Sequence, residues 1–218
     1  MLAPPQAPPS SEADPIRSAQ QTFRRVLDAL AQPGQVQQLA AHPALAGTFG
    51  DRPHLRWPAS LLLMLVDHEV SLAVTLATGG EELESAVRRR TRVATSPVER
   101  ADTIVCDVDT LTPDLVTAIR RGSLEYPDDG AILLLLVDDL LAGGQRSVTL
   151  SGPGIDGTRR IALPGFTPET LAAREEAVAA YPMGIDILIL DRQGRLIGLP
   201  RTTVVTLGTP TSSGTEEA

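Results

Sequence analysis

The 218 residues carry 19 basic and 27 acidic side chains, and the resulting net charge of −8 argues against sequence-independent binding to nucleic-acid phosphates. All 19 basic residues are arginine. Without lysine the chain can support neither Schiff-base chemistry with pyridoxal phosphate nor a P-loop NTPase site, and any phosphate it holds must rest on Arg, on backbone N–H groups or on a metal. Hydrophobic residues make up 42% and aromatics 3%, which describes one ordinary core built from Leu, Val, Ile and Ala.

Residues 1–13 are rich in Pro, Ala and Ser and read as a disordered tail. No basic stretch leading into an apolar one is present there, so the expected location is the cytoplasm. Asp14-Pro15 starts a helix, with Asp as cap and Pro in the first turn. Ile16, Ala19, Phe23, Val26, Leu27 and Leu30 fall at helical spacing and form its expected buried face. Arg17, Arg24, Arg25 and Asp28 lie opposite. Pro33-Gly34 ends the helix. A Pro-rich connection holds His42 and His54. A second, largely buried helix runs from Ser60 to about Asp67, and Ser71–Thr78 follows as a strand. Glu81–Arg90 is a helix with acids early and Arg88, Arg89 and Arg90 late, in keeping with its dipole.

Thr103–Val108 reads as a strand, with Cys106 as a small buried filler. Thr112-Pro113 opens a helix ending near Arg121-Gly122. Ala131–Val137, the longest apolar run, is far too short to span a bilayer and is the expected central strand. Strands follow at Arg146–Ser151 and Arg159–Leu163, then a helix at Pro168–Ala180. Two runs, Ile185–Leu190 and Arg195–Leu199, flank Asp-Arg-Gln-Gly and form a hairpin. Val204–Leu207 adds an edge strand, and the polar residues 208–218 read as a second tail. Residues 14–207 thus make a single α/β domain with a mixed sheet.

The segment Gly152-Pro153-Gly154-Ile155-Asp156-Gly157 matches a dinucleotide fingerprint by spelling only. It opens onto a strand rather than a helix, which rejects the Rossmann reading. It remains either a plain hairpin turn or a source of N–H donors for an anion. Asp107-Val108-Asp109 either offers two carboxylates to a cation or caps the following helix. No histidine pair has ligand spacing, and a single cysteine excludes thiolate zinc and iron–sulfur sites. No metal site or catalytic residue is therefore assigned.

The hairpin is the most informative segment. It runs from Tyr181-Pro182-Met183-Gly184-Ile185-Asp186 to Leu199-Pro200-Arg201-Thr202-Thr203, and a hairpin returns its ends to one place. Tyr181, Asp186, Pro200, Arg201 and Thr202 should meet there, either as a binding site or as an ion pair that fixes the turns.

These two segments, together with Phe23-Arg24-Arg25-Val26-Leu27, Pro33-Gly34, the Leu62–Asp67 helix, Gly130-Ala131 and Leu150-Ser151-Gly152-Pro153-Gly154-Ile155, resemble the PhnH family of the bacterial carbon–phosphorus lyase system. The resemblance covers about residues 14–207. Family members often have Phe in place of Tyr181 and Ala in place of Pro153. The resemblance implies a three-layer αβα fold with a mixed sheet, like that of the pyridoxal-phosphate-dependent transferases but without their cofactor. It also implies a function: with PhnG, PhnI and PhnL, replacing the adenine of MgATP by a phosphonate to give a ribose 1-phosphonate 5-triphosphate. The implied assembly is a core complex with PhnG, PhnI and PhnJ, and a homodimer when alone. Two roles stay open. In one, Arg201, Arg24 and the Gly152, Gly154 and Ile155 turn hold substrate oxygens. In the other, the same residues shape a subunit interface and the chain is a non-catalytic adaptor.

Overall fold

The computed structural model describes residues 15–142 and 147–207. The two expected tails, the Asp14 cap and Arg146 lie outside the described residues. Helices are α1 (Pro15–Ala31), α2 (Arg56–Leu65), α3 (Gly80–Thr91), α4 (Pro113–Ala118) and α5 (Pro168–Val178). Strands are β1 (Gln37–Gln38), β2 (Ser71–Thr75), β3 (Ala94–Thr95), β4 (Thr103–Asp107), β5 (Ile132–Val137), β6 (Ser147–Ser151), β7 (Arg159–Ala162), β8 (Asp186–Asp191), β9 (Arg195–Leu199) and β10 (Val204–Leu207).

Seven strands form a mixed sheet in the order β1-β9-β8-β5-β4-β2-β3. The run from β8 to β3 is parallel, while β8–β9 and β9–β1 are antiparallel. The apolar run expected at the centre is there: β5 is the middle strand, and Leu134 lies opposite Val105 on one side and Leu188 on the other. Because side chains alternate across a strand, β5 feeds two cores. Leu133, Leu135 and Val137 pack with α4, α5 and β6. Leu134 packs with α1, α2 and α3. Fully burying each such Leu or Val contributes about 1.5–3 kcal/mol, so the sheet is the stable frame on which both layers rest.

Four expectations change. The strands after residue 146 leave the main sheet. They form a separate antiparallel sheet, β10-β6-β7, whose edge is the predicted last strand. The second helix begins and ends earlier than expected, at Arg56 and Leu65. Helix α4 stops at Ala118, and Ile119 turns extended. The carbonyls of Arg120 and Arg121 then accept from the N–H groups of Ala131 and Gly184 rather than continuing a helix. The fourth change is a rotation of the buried face of α1: Val26 is buried as expected, but Ser18, Thr22 and Ala29 join it, while Ile16, Phe23 and Leu27 are exposed. The cause is close approach to β9. A Cβ on Gly198 would lie 2.6 Å from the Ala29 carbonyl oxygen, so only small side chains fit between helix and strand.

Among the described residues no helix is long and apolar enough to cross a membrane.

Candidate functional site

The two ends of the β8–β9 hairpin do meet. Arg201 follows β9, and its backbone N–H donates to Asp186 Oδ1 at 2.8 Å. Its guanidinium donates to Asp186 Oδ2 from Nη2 at 2.7 Å and from Nε at 3.2 Å. Nη1 donates to the carbonyl oxygens of Pro127, at 2.8 Å, and Pro182, at 3.1 Å. A guanidinium has five N–H donors, and four of these are held inside the protein. The Arg201 side chain is only 14% exposed. Small residues make room for it: a Cβ on Gly184 would lie 3.0 Å from Arg201 Cβ, and one on Gly130 would lie 2.9 Å from Nη2. The geometry fastens two loops to the hairpin and leaves the guanidinium little to offer an incoming anion.

The other predicted residues distribute around this corner. The Pro200 carbonyl accepts from Arg174 Nη2 at 2.9 Å. Thr202 lies where a Cβ on Gly152 would sit 2.8 Å from its carbonyl oxygen. Gly154, with φ of +79°, presses on the end of α1; a Cβ there would fall 2.0 Å from the Ala31 carbonyl oxygen. The Ile155 N–H donates back to the Gly152 carbonyl, so the turn uses that donor itself. Tyr181 is exposed. Arg24 stands exposed on α1 and makes no ion pair or hydrogen bond among the described residues.

Sequence reasoning missed Arg174. It lies on the buried face of α5 with Leu171 and Ala177, and none of it reaches solvent. Burial pushes its guanidinium pKa down, while Glu175 and Asp186 oppose the shift. Its Nε finds no hydrogen-bond partner among the described residues. The signal was present: an Arg stands where an apolar residue belongs in the Leu171, Arg174, Val178 periodicity.

A second location emerges only from the topology. The chain leaves β2 toward β3 in one direction and continues from β4 to β5 in the other, so the connection reverses between β2 and β4. In open α/β sheets ligands bind outside the carboxyl ends of the strands at such a point. A cavity of about 220 Å³ lies there, lined by Leu76–Thr78 after β2, Asp107–Asp109, Leu136–Asp138 and Leu190–Arg192, with His54 and Pro58 closing one side. Arg192 pairs with Asp138 at 2.8 Å. Burial, then Arg192, then Arg52 hold the His54 pKa below the usual histidine value, with Asp138 and Glu82 opposing. Asp107 does not cap α4. Its carboxylate accepts from the Thr110 N–H at 3.1 Å and the Ala77 N–H at 2.8 Å, tying β4 to the turn after β2; Thr112 caps α4 instead. Asp109 is exposed in the turn beyond the strand. Spacing alone does not single out Arg192 or His54, because a hairpin turn and a Pro-rich loop carry no chemical signature. Arg192 is marked by its position at the end of β8, and His54 by the cavity it lines beside that end.

Cys106 is buried, and that burial, together with Asp107, pushes its thiol far above the usual range, which makes it an inert filler. Among the described residues no three His, Cys, Asp or Glu side chains converge to hold a metal ion.

Comparison with known proteins agrees with the motifs. The chain matches the family model described as bacterial phosphonate metabolism protein (PhnH) over residues 11–206. It is 30% identical over 188 residues to a putative C-P lyase subunit protein HtxG of Stutzerimonas stutzeri, covering 86% of each chain. It is 27% identical over 191 residues to alpha-D-ribose 1-methylphosphonate 5-triphosphate synthase subunit PhnH of Rhizobium meliloti (strain 1021), covering 88% of this chain and 92% of that one.

Proposed function

The chain belongs to the PhnH family of bacterial phosphonate metabolism proteins, and from that premise we propose that it serves as the docking subunit of a carbon–phosphorus lyase complex. In this reading the complex replaces the adenine of MgATP by a phosphonate, with PhnG, PhnI and PhnL, and the chemical step belongs to other subunits. The observation that carries the proposal is the Arg201 corner. Its best candidate for holding a phosphate is a guanidinium, and the donors of that group are held by Asp186, Pro127 and Pro182. Among the described residues no nucleophile paired to a base accompanies it. Exposed Phe23 and Leu27 on α1 support the same role, since subunit contacts bury such side chains. The family's likeness to pyridoxal-phosphate-dependent transferases is part of this reading, and the lack of any lysine supports a chain that carries no such cofactor.

The cavity at the strand ends favours a second reading, in which the chain touches the nucleotide or phosphonate directly through Arg192. One experiment separates the two. The other subunits, supplied with MgATP and methylphosphonate, should release adenine only when this chain is added, and Arg192→Ala should restore release as well as the wild type does. Calorimetry of the isolated chain with MgATP should give no saturable heat. Adenine release that ignores the chain would refute both readings. Release lost with Arg192→Ala, together with saturable heat, would establish the second.

A further inference from the structure

The chain has only two tyrosines, and each is followed by proline: Tyr126-Pro127 and Tyr181-Pro182. They belong to different loops, yet one nitrogen of Arg201 donates to both proline carbonyls. Each tyrosine immediately precedes one of those prolines, and both are exposed, Tyr126 55% and Tyr181 69%, with Leu124 exposed in the same loop as Tyr126. A single exposed apolar side chain is ordinary. Two exposed tyrosines on loops that one guanidinium ties together are not. The Tyr126 N–H donates to Ser123 Oγ at 2.9 Å and its carbonyl accepts from the Ser123 N–H at 3.0 Å. The Gly184 N–H donates to the Arg121 carbonyl at 2.8 Å, tying the loops to each other directly.

The backbone under both rings is thus fixed before any contact is made, which lowers the ordering cost of an interface. Tyrosine is also a residue type enriched where binding energy concentrates. The exposed charge in the Tyr126 loop is negative. Glu125, Asp128 and Asp129 are exposed beside Tyr126. The nearby cations are already paired, Arg121 with Glu176 and Arg201 with Asp186.

Resting on the docking reading above, we propose that this corner is where another protein subunit binds, and that the segment it accepts is basic and carries apolar side chains. A second copy of this chain fits poorly, because a self-complementary contact over Tyr126 would bring the same three carboxylates against themselves.

The test uses tagged full-length chain co-expressed with the other carbon–phosphorus lyase subunits of its own organism. Tyr126→Ala with Tyr181→Ala should cut recovery of those subunits by at least about tenfold. Asp128→Arg with Asp129→Arg should do the same, and the corresponding Tyr→Phe pair should bind as the wild type does. The unfolding midpoint of the isolated Tyr→Ala pair should stay unchanged, which separates lost docking from lost folding. Full recovery by both the alanine and arginine pairs, when the wild type recovers the subunits, would overturn the surface and leave the docking role standing. Failure of the wild type itself to recover any subunit would overturn both. An alanine pair that abolishes self-association in light scattering yet recovers the subunits would assign the corner to a second copy instead.

Discussion

Arg201 and Asp186 form a closed unit in which the same carboxylate accepts from the arginine's own backbone N–H, at 2.8 Å, and from its Nη2, at 2.7 Å. The pair therefore fixes the turn after β9 and the direction of the side chain together. That direction brings Nη1 to two further loops. The ion pair is a fastening point for three segments of the chain.

Removing the guanidinium leaves a largely buried carboxylate and two carbonyls without their donor. Arg201→Ala should cost about 3 kcal/mol, read as a lower urea midpoint at an unchanged slope. Arg201→Lys keeps the charge but loses the planar fork, and should recover only part of that loss. An Arg201→Ala midpoint within error of the wild type would mean the corner is not structural.

The glycine turn between β6 and β7 makes a sharper comparison. Gly154 and Gly157 both have left-handed backbones, with φ of +79° and +68°. A Cβ at Gly157 meets nothing within 4 Å, whereas one at Gly154 falls 2.0 Å from the Ala31 carbonyl oxygen. Gly157→Ala should cost only the backbone strain, about 1–2 kcal/mol. Gly154→Ala must also push the turn off α1 and should cost clearly more. Equal losses in thermal or urea unfolding would show that the close approach at Ala31 carries no weight.

Much of this arrangement was legible from residue type and spacing. The apolar run at Ala131–Val137 announced the central strand because a strand buried on both faces reads as continuous hydrophobic sequence. The hairpin announced the meeting of Asp186 and Arg201 because its ends must return together. What the spacing could not convey was distance between elements. Ile16, Phe23 and Leu27 look like the inner face of α1 until Gly198 draws the helix so close that Thr22 and Ala29 must take that place. For the same reason the strand-end cavity was invisible: His54 and Arg192 are neighbours only through the order of the sheet.

The rotated face of α1 is directly testable. Val26 is 4% exposed and Phe23 51%. Val26→Ala should cost about 2 kcal/mol through lost packing, while Phe23→Ser, though chemically more drastic, should stay within about 0.5 kcal/mol of the wild type. The opposite order in chemical denaturation would return Phe23 to the buried face that spacing alone assigns it.

Acid sensitivity should come in two separate windows. For Asp102, burial by itself would raise the pKa, but hydrogen bonds from the Ser71 hydroxyl and N–H, and from Arg120, outweigh it and bring the value below that of a free carboxylate. A folded value below the unfolded one adds stability above the unfolded pKa, near 4, and that stability is lost as pH falls through the folded value. His54 is also lowered, by burial and then by Arg192 and Arg52. Its contribution is complete above the unfolded value, near 6.5, and declines as pH falls below it. Urea midpoints between pH 7.5 and pH 3 should separate them, since the approximate unfolded pKa values are well apart. His54→Gln should flatten the upper part of the decline, between about pH 6.5 and 5. Asp102→Asn should narrow its gap to the wild type only below about pH 4. A gap between wild type and Asp102→Asn that widens as the solution becomes more acidic would reverse the sign of the Ser71 and Arg120 contribution.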